Sequence, residues 1–514
     1  MDKRSEDTGT ITLDTPAGRL AGARAGGLFS FKGVPYAKPP VGPLRWRAPE
    51  PLEPWAGTRN ATSFGAASPQ APTQITALTG GRFGVQSEDC LYLNIWTPGC
   101  DSAKRPVMVW IHGGAFAVGA GSQTIYDGSA LAAQDAVIVT INYRLGAFGF
   151  LDLADATDGR LEGTGAEGVA DQIAALRWVK HNIACFGGDP GNVTIFGESA
   201  GGMSVAALLA SPSAKGLFHK AIAQSGAGHI GHERDRGARA ARAVMEILGI
   251  APHDVERLRA APFGEILKAQ ITLLAEMRSG AGPRKLGSLP FQPTVDGTII
   301  PERPIDAIRK GSASGIALMA GTTKEEWKMF SAFVPQLRFL SVENFASRAT
   351  RLAEEEAPEL LAAYAEGSGY ERFNAMMTDK AFAVPAARLL EAQSAYAPAY
   401  AYRFDWRSKL LGGIMGSCHA IELGFVFGTY NGGMQRSFFG KGPEADALSV
   451  AAIQSWIAFA RSGNPATNSS GAWPQYGSAR NTMIFGDGAP HLAQAPNDAR
   501  RTAWDRISER RIGP

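Results

Sequence analysis

The pentapeptide Gly197-Glu198-Ser199-Ala200-Gly201 sets a serine between two glycines. In a chain with 61 glycines the pattern alone says little, and its setting says more. Val193-Thr194-Ile195-Phe196 reads as a short buried strand, and Ala200 to Ala210 reads as a helix stopped at Ser211-Pro212. A sharp turn between strand and helix needs glycine on both sides, because bulkier residues would clash with neighbouring backbone. Such a turn lifts the Ser199 hydroxyl to the carboxyl edge of a sheet. There the N-terminus of the following helix favours developing negative charge. That placement suits nucleophilic attack on a carbonyl; the alternative is an ordinary glycine turn.

A serine hydroxyl needs a base, and the base needs an orienting carboxylate. In this strand–turn–helix architecture the chain order is serine, acid, histidine, with the latter two on loops after later strands. Of the eight histidines only His419 and His491 lie in the last third. His491 sits in a polar C-terminal stretch with no strong strand before it, whereas His419 follows the strand Ala399 to Phe404 in a glycine-containing loop. The acid is expected after the strand Ile316 to Ala320, where Glu325 and Glu326 are equally placed. Asp296, in Val295-Asp296-Gly297, reads as a turn residue. The tetrahedral oxyanion needs donors as well. His112-Gly113-Gly114-Ala115-Phe116 follows a buried strand, so the amides of Gly113 and Gly114, with that of Ala200, are expected to form the hole. His112 itself reads as structural.

The elements that must position these groups alternate. Val107 to Ile111, Ala136 to Ile141, Val193 to Phe196 and Ala221 to Ala223 read as strands. Between Gly168 and Phe186 apolar residues recur every three or four positions, a helix ended by the turn Gly187-Gly188-Asp189-Pro190. Strands alternating with helices predict an α/β fold with a central, mostly parallel sheet covered on both faces. Residues 232–280 and 340–396 read as helical insertions. No long linker interrupts the chain, so residues 1–514 are expected to form one domain, with insertions near 60–86, 232–290 and 328–396 over the active site.

Composition excludes several classes. With 51 Lys+Arg against 48 Asp+Glu the net charge is +3, and no basic cluster points to nucleic acid. Arg234, Arg236, Arg239 and Arg242 read as a solvated helix face. No run approaches the ~18 apolar residues of a membrane span, and Met1 to Asp7 lead into no secretion signal. Cys90, Cys100, Cys185 and Cys418 lack metal-ligand spacing and read as free thiols, which predicts a cytoplasmic protein. No metal or cofactor is expected. Oligomeric state is not legible.

Further segments resemble the type-B carboxylesterase and cholinesterase family, and most closely its bacterial para-nitrobenzyl-esterase-like members. Phe31 to Ala37 with Pro40 to Trp46, Ser87 to Asn94, Asn142 to Gly146 and Phe186 to Gly202 carry it through the first half. His419 to Leu423, Trp456 to Ala460 and Gly463 to Pro465 carry it through the second. The resemblance implies an α/β-hydrolase fold and assigns the acid to Glu326. It also implies supporting roles near the histidine for Glu198 and Ser225, and buried ion pairs Arg45–Glu88 and Arg144–Asp171. Cys90 lacks the partner of secreted animal members, because residues 1–89 hold no cysteine. No tryptophan lies between Gln70 and Gln86, which argues against a choline ester. Trp327 stands where many members have glycine. The expected activity is hydrolysis of a neutral small-molecule ester through an acyl-enzyme, with Phe116, Phe291, Phe330 and Phe333 as candidate wall residues. The alternatives are a carbamate or amide substrate, or a non-catalytic adhesion module of cholinesterase-like fold.

Overall fold

A run of apolar residues with no polar face must be buried on both sides, and Val107 to Ile111 is such a run. In the computed structural model, which describes residues 9–71, 83–279, 286–433 and 435–514, this run is buried throughout, in a strand that starts at the half-buried Arg105. The chain divides into two compact units, Met1–Lys220 with Gly231–Pro304, and Ala221–Ile230 with Ile305–Pro514. Residues 1–7, and parts of the expected insertions at 60–86 and 232–290, lie outside the described residues.

The first unit holds β1 (Gly9–Thr15), β2 (Gly18–Ala25), β3 (Leu28–Pro35), β4 (Thr58–Asn60), β5 (Tyr92–Thr97), β6 (Arg105–Ile111), β7 (Val137–Ile141) and β8 (Gly188–Glu198). Their order is β1-β2-β3-β5-β7-β6-β8, with β4 beside β2. The alternation of strands and helices implied parallel pairing, and β6 is parallel to both β7 and β8. Along the N-terminal part β1, β2, β3, β5 and β7 pair antiparallel in succession instead, while the short β4 runs parallel to β2. Gly26 and Gly27, both at positive φ, close the tight β2–β3 hairpin, a conformation that glycine adopts without strain.

Helix α1 (Glu167–Asn182) buries Val169, Ile173, Leu176 and Val179, the positions whose spacing predicted it. The turn expected over Gly187 to Pro190 is narrower than the sequence suggested. Gly187 alone reverses the chain at φ 76°, and Gly188 already pairs with Arg105 as the start of β8. Helix α2 (Ala200–Ala210) has the predicted boundaries, and its small side chains allow every residue to be buried. Helices α3 (Arg234–Leu248) and α4 (Phe263–Ser279) form the first insertion. On α3, Arg239 pairs with Asp235, while Arg236 and Arg242 donate to the carbonyls of Leu286 and Asp155. Asp296 accepts from the amides of Thr298 and Ile300, as a turn residue does.

The second unit holds β9 (Lys220–Gln224) from Ala221 onward, β10 (Ala317–Thr323), β11 (Ala399–Phe404), β12 (Asn481–Phe485) and β13 (His491–Gln494), in that order. β10, β11 and β12 run parallel, and β13 turns back antiparallel to β12. The stretch before His491 therefore does contain a strand, and His491 itself is an exposed residue of β13 facing Ile484 across the pair. The sequence hid this strand because only Met483, Ile484 and Phe485 are strongly apolar. Helices α5 (Val342–Ala353), α6 (Gly369–Thr378) and α7 (Val384–Ser394) make the second insertion. Phe345, Leu360, Tyr364 and Phe373 form its core with Trp504, Ile507 and Ile512. A single π-helical turn, Asp379–Ala383, joins α6 to α7. Helix α8 (Pro443–Ser462) follows. No helix among the described residues is long and apolar enough to cross a membrane, and all four cysteines are free thiols.

Candidate active site

Ser199 occupies the single residue between β8 and α2, with φ 57° and ψ −122°. A non-glycine residue held there costs on the order of 1–3 kcal/mol, which the surrounding packing must offset. The flanking glycines show how. A β-carbon on Gly201 would lie 2.0 Å from the Ile111 carbonyl oxygen, and one on Gly197 would lie 2.6 Å from the Gly201 carbonyl carbon. Only glycine lets β6, β8 and α2 close on the turn. The amide of Met203 donates to the Ser199 carbonyl at 2.9 Å and starts the helix.

The loop after β6 packs directly on this turn. A β-carbon on Gly113 would stand 2.6 Å from the Glu198 carbonyl oxygen and 3.0 Å from the Ser199 β-carbon. Gly114 adopts φ 112°, and Ala115 and Phe116 follow at positive φ. Both Ala117 and Val118 donate their amides to the Gly114 carbonyl, which holds the loop tight. The Gln70 side chain, which sequence reasoning missed, braces the loop's far end. Its carboxamide accepts from the Gly119 amide at 2.6 Å and donates to the Gly119 carbonyl at 2.9 Å. His112 is structural: it is fully buried, its Nδ1 lies 2.8 Å from the Gly113 carbonyl, and its ring stacks on Tyr143. Burial pushes its pKa down to about 4, so it is neutral at pH 7. The unit thus brings together Gly113, Glu198, Ser199 and Ala200, with Gly114 next in the same loop.

The second unit assembles the other groups. Glu326 lies in the turn after β10 and is wholly buried. Its Oε2 is 2.6 Å from His419 Nδ1, while its Oε1 accepts from the Ser225 hydroxyl at 2.6 Å and the Thr323 amide at 2.7 Å. Three donors on one carboxylate fix its rotamer and the plane it offers to the imidazole. Ser225 therefore reaches the histidine through Glu326. Its own strained backbone, at φ 47°, is held by its amide donating to the Gly321 carbonyl. Glu325, the neighbouring carboxylate, turns away to the Ser417 amide at 2.9 Å.

Phe330 and Phe382 flank the His419 ring, with centroids 5.2 and 4.8 Å from it, and Trp327 packs against both. Trp327 is thus part of an aromatic brace behind the imidazole. Phe382 comes from the π-helical turn, and nothing in its sequence surroundings marked it. Of the other candidate wall residues, Phe116 and Phe291 are buried, Phe116 packing edge-on against Phe150, and Phe333 is exposed.

The two ion pairs are present. Arg45 grips both Glu88 oxygens and also donates to the carbonyls of Arg259 and Ala261. Arg144 binds Asp171 through Nε at 2.8 Å, Nη2 at 2.7 Å and its own amide at 3.0 Å.

A family described as the carboxylesterase family matches residues 9–504. The chain belongs to the carboxylesterase family. The para-nitrobenzyl esterase of Bacillus subtilis is 42% identical over 92% of this chain and 94% of that protein. The phenmedipham hydrolase of Pseudarthrobacter oxydans is 36% identical over 90% of this chain and 92% of its own length. Among solved structures, a thermophilic PNB esterase superposes with a TM-score of 0.85 at 39% identity, covering 96% of this chain and 99% of that one. The protein is a serine carboxylic ester hydrolase of α/β-hydrolase fold.

Proposed function

We propose that Ser199, His419 and Glu326 act as one triad that hydrolyses neutral aryl or alkyl carboxylic esters through an acyl-enzyme. The observation that carries the proposal is the strained turn at Ser199, pinned by glycines at both ends and packed against Gly113. Strain of this kind persists where a side chain must be presented in one direction. The His419–Glu326 hydrogen bond supports the second half of the triad, because it places the Nδ1 proton on the carboxylate side and leaves Nε2 for proton exchange.

In this mechanism His419 takes the Ser199 proton as the hydroxyl attacks the ester carbonyl, and Glu326 stabilises the imidazolium. The amides of Gly113, Gly114 and Ala200 stabilise the oxyanion, each donor worth roughly 3 kcal/mol of barrier. Collapse of the tetrahedral adduct expels the alcohol, protonated by His419. Water then attacks the acyl-enzyme by the same route and releases the acid. A single catalytic domain spanning the chain accommodates this division of labour between residues distant in sequence. The free thiols support a reducing, cytoplasmic setting.

Ser199→Ala tests the proposal. Turnover of a nitrophenyl short-chain ester is expected to fall to the background rate while the far-UV circular dichroism spectrum is unchanged. Retained burst kinetics in that variant would refute it. A screen of acyl and alcohol chain lengths then defines the substrate range.

A further inference from the structure

Two adjacent glutamates follow β10, and only one of them faces the imidazole. The other, Glu325, makes a different set of contacts. Its amide donates to the Ser417 carbonyl at 2.9 Å, and its Oε2 accepts from the Ser417 amide at 2.9 Å. One residue thereby pairs with both backbone groups of a residue two positions before His419. A third link runs alongside, from the His419 amide to the Glu326 carbonyl at 3.3 Å.

The fit is close. Gly416 adopts φ 56°, and a β-carbon there would lie 2.1 Å from Glu325 Oε2. The carboxylate therefore rests on bare backbone, at a place where any side chain would displace it. Lys328 pairs with Oε1, and Arg407 lies 3.7 Å from Oε2. These cations help hold the Glu325 carboxyl below its ordinary pKa, against the opposing effect of partial burial. The loop is tied down elsewhere by the Ser408 amide on the Gly416 carbonyl and by the Ser417 hydroxyl on the Asp405 carbonyl. Neither tie touches Glu325 or Glu326, although Asp405 also reaches Lys324 of that turn at 3.8 Å.

We infer that Glu325 is a positioning residue for His419: by clasping the backbone of Ser417 it fixes the register between the turn carrying Glu326 and the loop carrying the imidazole. The inference rests on His419 and Glu326 acting in the triad proposed above. It assigns work to both carboxylates of the Glu325-Glu326 pair. A misplacement of about 1 Å in a catalytic group can cost on the order of 100-fold in rate.

The test compares Glu325→Ala with Glu325→Gln on a nitrophenyl ester across pH. The glutamine keeps an acceptor for the Ser417 amide and loses the charge and the second acceptor oxygen, the one that faces Lys328. Glu325→Ala is expected to lower kcat about 10- to 100-fold with KM within about threefold. The acid limb of its kcat/KM profile should move to lower pH, because a loosened Glu326 stabilises the imidazolium less. Glu325→Gln is expected to restore most of kcat and return the acid limb towards that of the parent. Gly416→Ala should reproduce the alanine phenotype, and the double variant Glu325→Ala/Gly416→Ala should lose no more than the worse single one.

Equal losses in the alanine and glutamine variants, additive losses in the double variant, or near-parental kcat in Glu325→Ala would each overturn the inference. Turnover surviving in His419→Ala would instead remove the triad on which it rests.

Discussion

His419 Nδ1 and Glu326 Oε2 lie 2.6 Å apart, and the same carboxylate is held from its other oxygen by Ser225 and Thr323. Glu326→Gln replaces one of two acceptor oxygens by an NH2 group, leaving three donors to face one acceptor. We predict that kcat falls by roughly three to four orders of magnitude with KM little changed, because the imidazole loses its orienting charge and tautomer. Steady-state kinetics on a nitrophenyl ester measure this. A loss below tenfold would mean that Glu326 does not serve as the triad acid.

The Gly113 position has no room for a side chain. In Gly113→Ala the new methyl must push against the Glu198 carbonyl and the Ser199 β-carbon. We expect kcat to fall about 100-fold or more, since both the proposed nucleophile and the proposed oxyanion donors shift. The rate of labelling by a fluorophosphonate should fall with it. An unchanged labelling rate would separate this loop from the reacting centre.

How legible these features were depended on how local their cause is. The Ser199 turn was readable because two glycines, a preceding apolar strand and a following run of small residues are all contiguous. Helix Ala200–Ala210 was delimited for the same reason. Glu325 and Glu326 could not be separated by pattern. Adjacent residues on a turn differ only in the direction they point, and that direction is set by Ser417 and His419, more than 90 positions away. Phe382 was invisible because it reaches the imidazole from a π-helical turn, which has no pattern of its own. The N-terminal antiparallel strands were missed because their faces are half exposed, so they lack the continuous apolar runs that marked β6 and β7.

The buried pair of Arg144 and Asp171 predicts a stability effect. Asp171 is fully buried and takes three hydrogen bonds from Arg144. Asp171→Asn strands the guanidinium charge and should cost about 3–5 kcal/mol. Arg144→Met combined with Asp171→Leu should recover much of that loss, because neither charge is then left alone. Urea unfolding of the single and double variants compares the two. Equal destabilisation in both would argue that packing shape, and not the unpaired charge, sets the cost.

Glu509 predicts a pH dependence. Burial alone would raise its carboxyl, but hydrogen bonds from His229, Arg309 and Arg388 and the charge of the two arginines outweigh that and hold it well below the usual carboxylate range. A depressed folded-state value means that the group stabilises the fold above the unfolded pKa of about 4.3 and stops doing so as pH falls through the folded value. Glu509→Gln should therefore be less stable than the parent by roughly 2 kcal/mol at pH 7. The gap should narrow steadily below about pH 4. Denaturant midpoints at a series of pH values test this, and a gap that widens on acidification would contradict it.

The central claim is that Ser199 is the nucleophile, and covalent trapping tests it most directly. After reaction with a fluorophosphonate, intact-mass and peptide-mapping spectrometry should show one adduct, on the Ser199 peptide, with ester turnover abolished in step with labelling. Ser199→Ala should remain unlabelled. An adduct on any other residue, or full ester turnover by the Ser199→Ala protein, would contradict the account.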